Sequence, residues 1–111
     1  MGRTAGLSPF NVNAVPLVQR SIAAAGISTS YAIVGSQFAA PVVWLGIVST
    51  LDQTVQISFN GVDDWLPIVA GGLLVIDLKS DNIVLSGIKA VYVKEIGNPT
   101  SGSLYVGGFS T

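Results

Sequence analysis

The stretch Thr54-Val55-Gln56-Ile57-Ser58-Phe59, followed at once by Asn60-Gly61, decides the fold class. Val55, Ile57 and Phe59 alternate with Thr54, Gln56 and Ser58. Successive side chains of a strand point to opposite faces, so this stretch carries one apolar face and one hydroxyl/amide face, the pattern of a half-buried strand. Asn-Gly is a tight-turn dipeptide, because both residues tolerate positive φ. Asp63-Asp64 then opens a short second segment through Trp65 and Leu66 to Pro67.

Similar segments extend in both directions. Downstream, Leu73 to Leu78 turns Leu74, Ile76 and Leu78 inward and ends in the turn cluster Lys79-Ser80-Asp81-Asn82. Ile88 to Ile96 is rich in Val and Tyr, and Ser103 to Phe109 follows the turn Asn98-Pro99-Thr100-Ser101-Gly102. Upstream, Pro41 to Ser49 is apolar on both faces, as expected of a central strand covered on both sides. Ile27 to Val34 places Ile27, Thr29, Tyr31 and Ile33 on one face. Helix competes only over Leu17 to Ala25, where Ala23-Ala24-Ala25 favours it and Gly26 could cap it; strand is preferred because a Ser/Thr-rich extended stretch follows. Strands recurring with Gly/Pro/Asn turns between them predict an all-β chain. The expected architecture is a single-domain β-sandwich or jelly-roll-like barrel of about 7–8 antiparallel strands.

Residues 1–15 read differently from residues 16–111, which form the expected sandwich domain. Gly2, Gly6, Pro9, Asn11 and Asn13 mix there with isolated Leu7, Phe10 and Val12, and no period emerges. Two readings stand: a disordered terminus, or an extended N-terminal arm lying on a neighbouring subunit with Phe10 and Val12 as anchors.

Composition narrows the function. The 111 residues include no Cys and no His, which removes a His-based triad, a thiol nucleophile and a Cys/His zinc site. Half of the residues are hydrophobic but only 10% are charged, with 5 Lys+Arg against 6 Asp+Glu for a net charge of −1. Ordinary soluble domains carry about 25% charged residues. Five scattered cations argue against a nucleic-acid partner. A mean hydropathy of +0.64 with so few charges points to a subunit that hides much of its surface in an assembly, a homo-oligomer with a trimer as one option. Membrane insertion fits poorly. The richest apolar runs, Ala39 to Val48 and Trp65 to Ile76, are broken by Pro41 and Gly46 and by Pro67 and Gly71-Gly72, far short of the roughly 20 residues a span needs. No signal-peptide pattern is visible at the N-terminus.

Each candidate site competes with a plainer structural role. Asp63-Asp64 is the one adjacent acidic pair, and its place after a turn suits backbone bonding better than glycosidase chemistry. Asp77, Asp81 and Asn82 could supply some calcium ligands, but the EF-hand spacing is absent; no cofactor or metal is expected. Gly71-Gly72 and Gly107-Gly108 lack phosphate-loop spacing and read as turns, bulges or close backbone approaches. Lys89 and Lys94 suggest a solvated sheet edge. Trp44 reads as core, and sandwich packing is the default for Tyr31, Tyr92 and Tyr105. Trp65, after two aspartates and before Leu66-Pro67, has two readings: a sheet edge or loop where it meets a sugar or a neighbouring subunit, and core packing, which is slightly favoured.

The block Val55 to Gly61, then Asp63, Asp64, Leu66-Pro67, Ala70-Gly71 and the strand ending in Asp77, resembles small β-sandwich virion proteins of tailed bacteriophages. So does the later pairing of Ile88 to Lys94 with Pro99-Thr100-Ser101-Gly102 and Ser103 to Val106. The likeness covers roughly Ser28 to Thr111 and rests on short, turn-like motifs. It implies a non-enzymatic structural role on the virion, above all as a capsid decoration (cement) protein bound to the major capsid protein. Neck, tail, baseplate or fibre-adaptor components are the alternative within that family. A carbohydrate-binding module using Trp65 and a tyrosine is the alternative outside it.

Overall fold

The computed structural model describes residues 15–40, 42–77 and 90–110. Among the described residues, eight strands run in chain order: β1 (Val15–Ala23), β2 (Ala32–Ile33), β3 (Trp44–Ser49), β4 (Val55–Ser58), β5 (Leu66–Ile68), β6 (Leu73–Asp77), β7 (Tyr92–Glu95) and β8 (Ser103–Ser110). A single 3-10 turn, Ala24–Gly26, follows β1. They form two four-stranded antiparallel sheets, in the orders β1-β8-β3-β6 and β2-β7-β4-β5. The chain is an all-β sandwich.

The pairing is nested. β4 pairs with β5, β3 with β6, β2 with β7 and β1 with β8. The chain is therefore one long antiparallel hairpin with β4 and β5 at its tip. The hairpin rolls up so that β3 also pairs with β8 and β4 with β7. Together these pairings make the eight-stranded jelly-roll order.

The core lies between the sheets. Leu45 and Ile47 of β3 and Leu104 and Val106 of β8 face Val55 and Ile57 of β4 and Val93 of β7, all essentially solvent-free. Leu51, Val34, Phe38 and Val42 close it from the loops. Burying a side chain of this size contributes about 1.5–3 kcal/mol. The alternation read in Thr54–Phe59 holds over Val55 and Ile57, which are buried, and Gln56, which is half-buried, but Ser58 departs from it and is fully buried. Leu74 and Ile76 of β6 pack on the core as expected.

Several expectations need correction. Of the expected strand Ile27 to Val34, only Ala32–Ile33 is regular β2: the Ser28 hydroxyl accepts the Ser30 N–H in a local turn, and contact with the β7 segment on either side is reduced to single bonds, Glu95 N–H to the Ser28 carbonyl and Val34 N–H to the Val91 carbonyl. Leu17–Ala25 is strand through Ala23, and Val15, assigned to the arm, is the first residue of β1. Asn60-Gly61 does not close a two-residue hairpin. The buried Ser58 Oγ accepts the N–H groups of Asn60 and Gly61, and Asn60 Oδ1 accepts those of Val62 and Asp63. The link from β4 to β5 is consequently a longer, internally bonded loop. Lys94 marks no edge: β7 lies inside its sheet, between β2 and β4. Lys89, Leu78 and the residues 1–14 carrying Phe10 and Val12 lie outside the described residues.

Candidate functional site: an apolar trough on one sheet

The outer surface of the β1-β8-β3-β6 sheet is the unusual feature of the molecule. Residues at outward positions fall in rows across the strands. Pro16, Phe109 and Trp44 are register neighbours and form one row. Tyr105, Val48 and Leu73 form a parallel row four residues further along β3. Between them the row is Gly107, Gly46 and Val75. The two glycines face each other across the β3–β8 pair, so the middle row has a floor without side chains. The result is a trough of about 400 Å³, with walls roughly 13 Å apart at the backbone, given the strand rise.

Local chemistry explains each wall. Trp44 and Phe109 meet edge to face, with ring centroids 5.5 Å apart, a preferred aromatic arrangement. Gly108 lets β8 come close to β3, since a Cβ there would lie 2.5 Å from the Trp44 carbonyl oxygen. At the β1 end a bulge between Leu17 and Arg20 spends one extra residue opposite Gly107 and pushes Val18 into solvent, 76% exposed. Leu73 at the far end is 69% exposed. None of the lining residues is charged, and the side-chain polar atoms among them belong to Gln19, Tyr105 and the indole N–H of Trp44. Exposed apolar surface without charge is the mark of a surface that meets a partner.

Several charged side chains elsewhere bond within the chain. Arg20 donates through Nε to the Ser36 carbonyl (3.1 Å), through Nη2 to the Gln37 carbonyl (2.9 Å) and through Nη1 to the Val18 carbonyl. Its guanidinium lies 5.0 Å from the Phe38 ring centre. On the other sheet, Asp64 accepts the Tyr31 hydroxyl and pairs with Lys94 Nζ at 3.1 Å. Burial first, and then the bond to Asp64, pushes the Tyr31 hydroxyl up to about 12. The Tyr31 bond, helped by Lys94, holds Asp64 below the usual carboxylate range.

The residues singled out in the sequence are not gathered in one place. Trp65, for which the sequence slightly favours core packing, is exposed instead, and it precedes β5 on the opposite sheet with its ring centre 4.7 Å from that of Phe59. It is no part of the trough. Trp44, read as core, is 36% exposed. The double apolar parity of Pro41–Ser49 was the signal: β3 has a covered face and an apolar face in the open. β6 repeats this, with Leu73 and Val75 outward. Among the described residues there is no cluster of three acidic side chains that could hold a metal ion, and no helix long and apolar enough to cross a membrane. Comparison with protein-family models, with curated proteins and with solved structures finds no match.

Proposed function

We propose that the protein is a non-enzymatic virion structural protein, a capsid decoration protein that sits as a homo-oligomer on a phage head shell and contacts the major capsid protein. The observation that carries this reading is the uncharged apolar trough, which in a free monomer would remain in water. Covering such surface contributes about 25 cal/mol per Å², and closed cyclic symmetry covers it without growing filaments.

The jelly roll is shared by viral capsid and lectin domains, so the surface has to choose between them. Sugar recognition needs many free polar groups beside an aromatic platform. The trough offers one amide, one phenol and one indole N–H. The carboxylates preceding Trp65 are already engaged, Asp63 by Asn60 and Asp64 by Tyr31 and Lys94. This favours an assembly role over a carbohydrate-binding module.

The test is negative-stain microscopy of virions from the source phage, labelled with antibody against this chain. Label spread over the whole shell is the expected result. Label confined to one vertex moves the protein to the neck or tail, and virions that carry no label refute the virion role.

A further inference from the structure

We propose that the trough seats the Phe10–Val12 stretch of a second copy of this chain. The inference rests on the reading of this sheet as an assembly surface, and it names the occupant. The first argument is where the N-terminal segment joins. β1 begins at Val15, opposite Ser110, and Pro16 already belongs to one wall of the trough. The segment therefore enters the fold at the border of the candidate site. Phe10 is five residues from Val15, a reach of about 17 Å when extended.

Direction favours another copy over the segment's own trough. β1 runs from Val15 towards Ala23, across the trough from its Phe109–Trp44 wall to its Tyr105 wall. Chain preceding Val15 in the same extended sense leads off the sheet at that wall. Pro16 disfavours a helical turn at Val15. Reaching its own trough would demand a reversal within a few residues, whereas a neighbour's trough demands none.

The chemistry also matches. Thr4 to Ala14 contains no charged residue, and neither does the trough lining. In an extended chain Phe10 and Val12 share one face, with Pro9, Asn11 and Asn13 on the other. One face suits the apolar floor and walls, and the other suits water. The Gly46–Gly107 floor gives a large ring depth that any side chain there would remove.

The chain has no cysteine, which makes disulfide trapping clean. Purified full-length Val12→Cys is mixed with full-length Val75→Cys under mild oxidation, and products are read on non-reducing gels and by mass spectrometry. A disulfide-linked heterodimer is expected, at least tenfold above that formed with Val62→Cys, although Val62, on the β4–β5 loop, is the more exposed position (76% against 51%). Adding Gly107→Val to the Val75→Cys chain should abolish the product. A Cβ at Gly107 meets nothing within 4 Å, so that variant fills the trough and should keep the wild-type melting temperature. Equal trapping at Val62, trapping that survives Gly107→Val, or no trapping overturns the proposal. So does a Val12→Cys/Val75→Cys double variant that closes within one chain. No particle is involved, so unlabelled virions together with positive trapping would refute only the virion role, and labelled shells without trapping only this inference.

Discussion

Asp52 grips Thr100 twice across 48 positions of chain: one carboxylate oxygen accepts the Thr100 N–H at 2.9 Å and the other its hydroxyl at 2.6 Å. The Ser101 N–H adds a longer bond at 3.4 Å. The loop between β3 and β4 thus clamps the turn that launches β8, and β8 supplies Phe109 and Tyr105 to the two walls of the trough and Gly107 to its floor.

The hydroxyl and backbone bonds from Thr100 hold the Asp52 carboxyl below its usual range. A carboxylate with a depressed folded pKa adds stability above its unfolded value of about 3.9, and that stability is lost as pH falls through the folded pKa. Asp52→Ala should therefore lower the melting temperature at neutral pH and flatten its fall below about pH 4. Asp64, depressed in the same direction, leaves a residual acid dependence. Thermal melts at stepped pH check this, and parallel curves for variant and wild type would contradict it.

Gly102 should be the least replaceable residue of the turn. It has φ +87°, and a Cβ there would lie 2.0 Å from the Thr50 carbonyl oxygen. Gly71 has φ +70° but open space around it. Gly71→Ala should cost only the backbone term, about 1–2 kcal/mol. Gly102→Ala adds a backbone clash and should cost at least about 3 kcal/mol, or prevent folding. Urea unfolding of both variants measures the gap.

Tyr31 gives an alkaline counterpart. Its pKa is raised from 10.0 to about 12, so the folded state holds the proton more tightly than the unfolded chain. That stabilisation is complete below about pH 10 and disappears as pH rises through about 12. Phenolate absorbance should show one of the three tyrosines titrating late. Asp64→Asn should bring it part of the way back, because burial remains. Tyr31→Phe should lose this part of the alkaline destabilisation.

Leu73→Lys and Val75→Lys should leave stability within about 0.5 kcal/mol, since both side chains project into solvent. The same changes should abolish self-association, read by size-exclusion chromatography with light scattering. Association of the wild type should change little between low and high salt, because no ion pair is available in the trough for salt to screen. A steep loss with moderate salt would show that charges, not apolar burial, hold the copies together.

What the residues alone determined is local. Alternation in Val55–Ser58, the inward Leu74 and Ile76, the turns at Asn60-Gly61 and Thr100–Gly102, and the scarcity of charge all state β-structure and a surface that needs covering. Tertiary structure decided the rest: the nesting of β1 with β8 around β4 and β5, the interior position of Lys94, and the exposure of Trp44, Val48, Leu73 and Val75 on one sheet. Period-two alternation reports which side chains share a face, and it is set by the backbone itself. Which apolar face is buried depends on strand partners far away in the chain, and a strand apolar on both parities holds no record of the choice. β3 is such a strand, and the trough between its outward residues and those of β6 and β8 exists only because the roll-up made them neighbours.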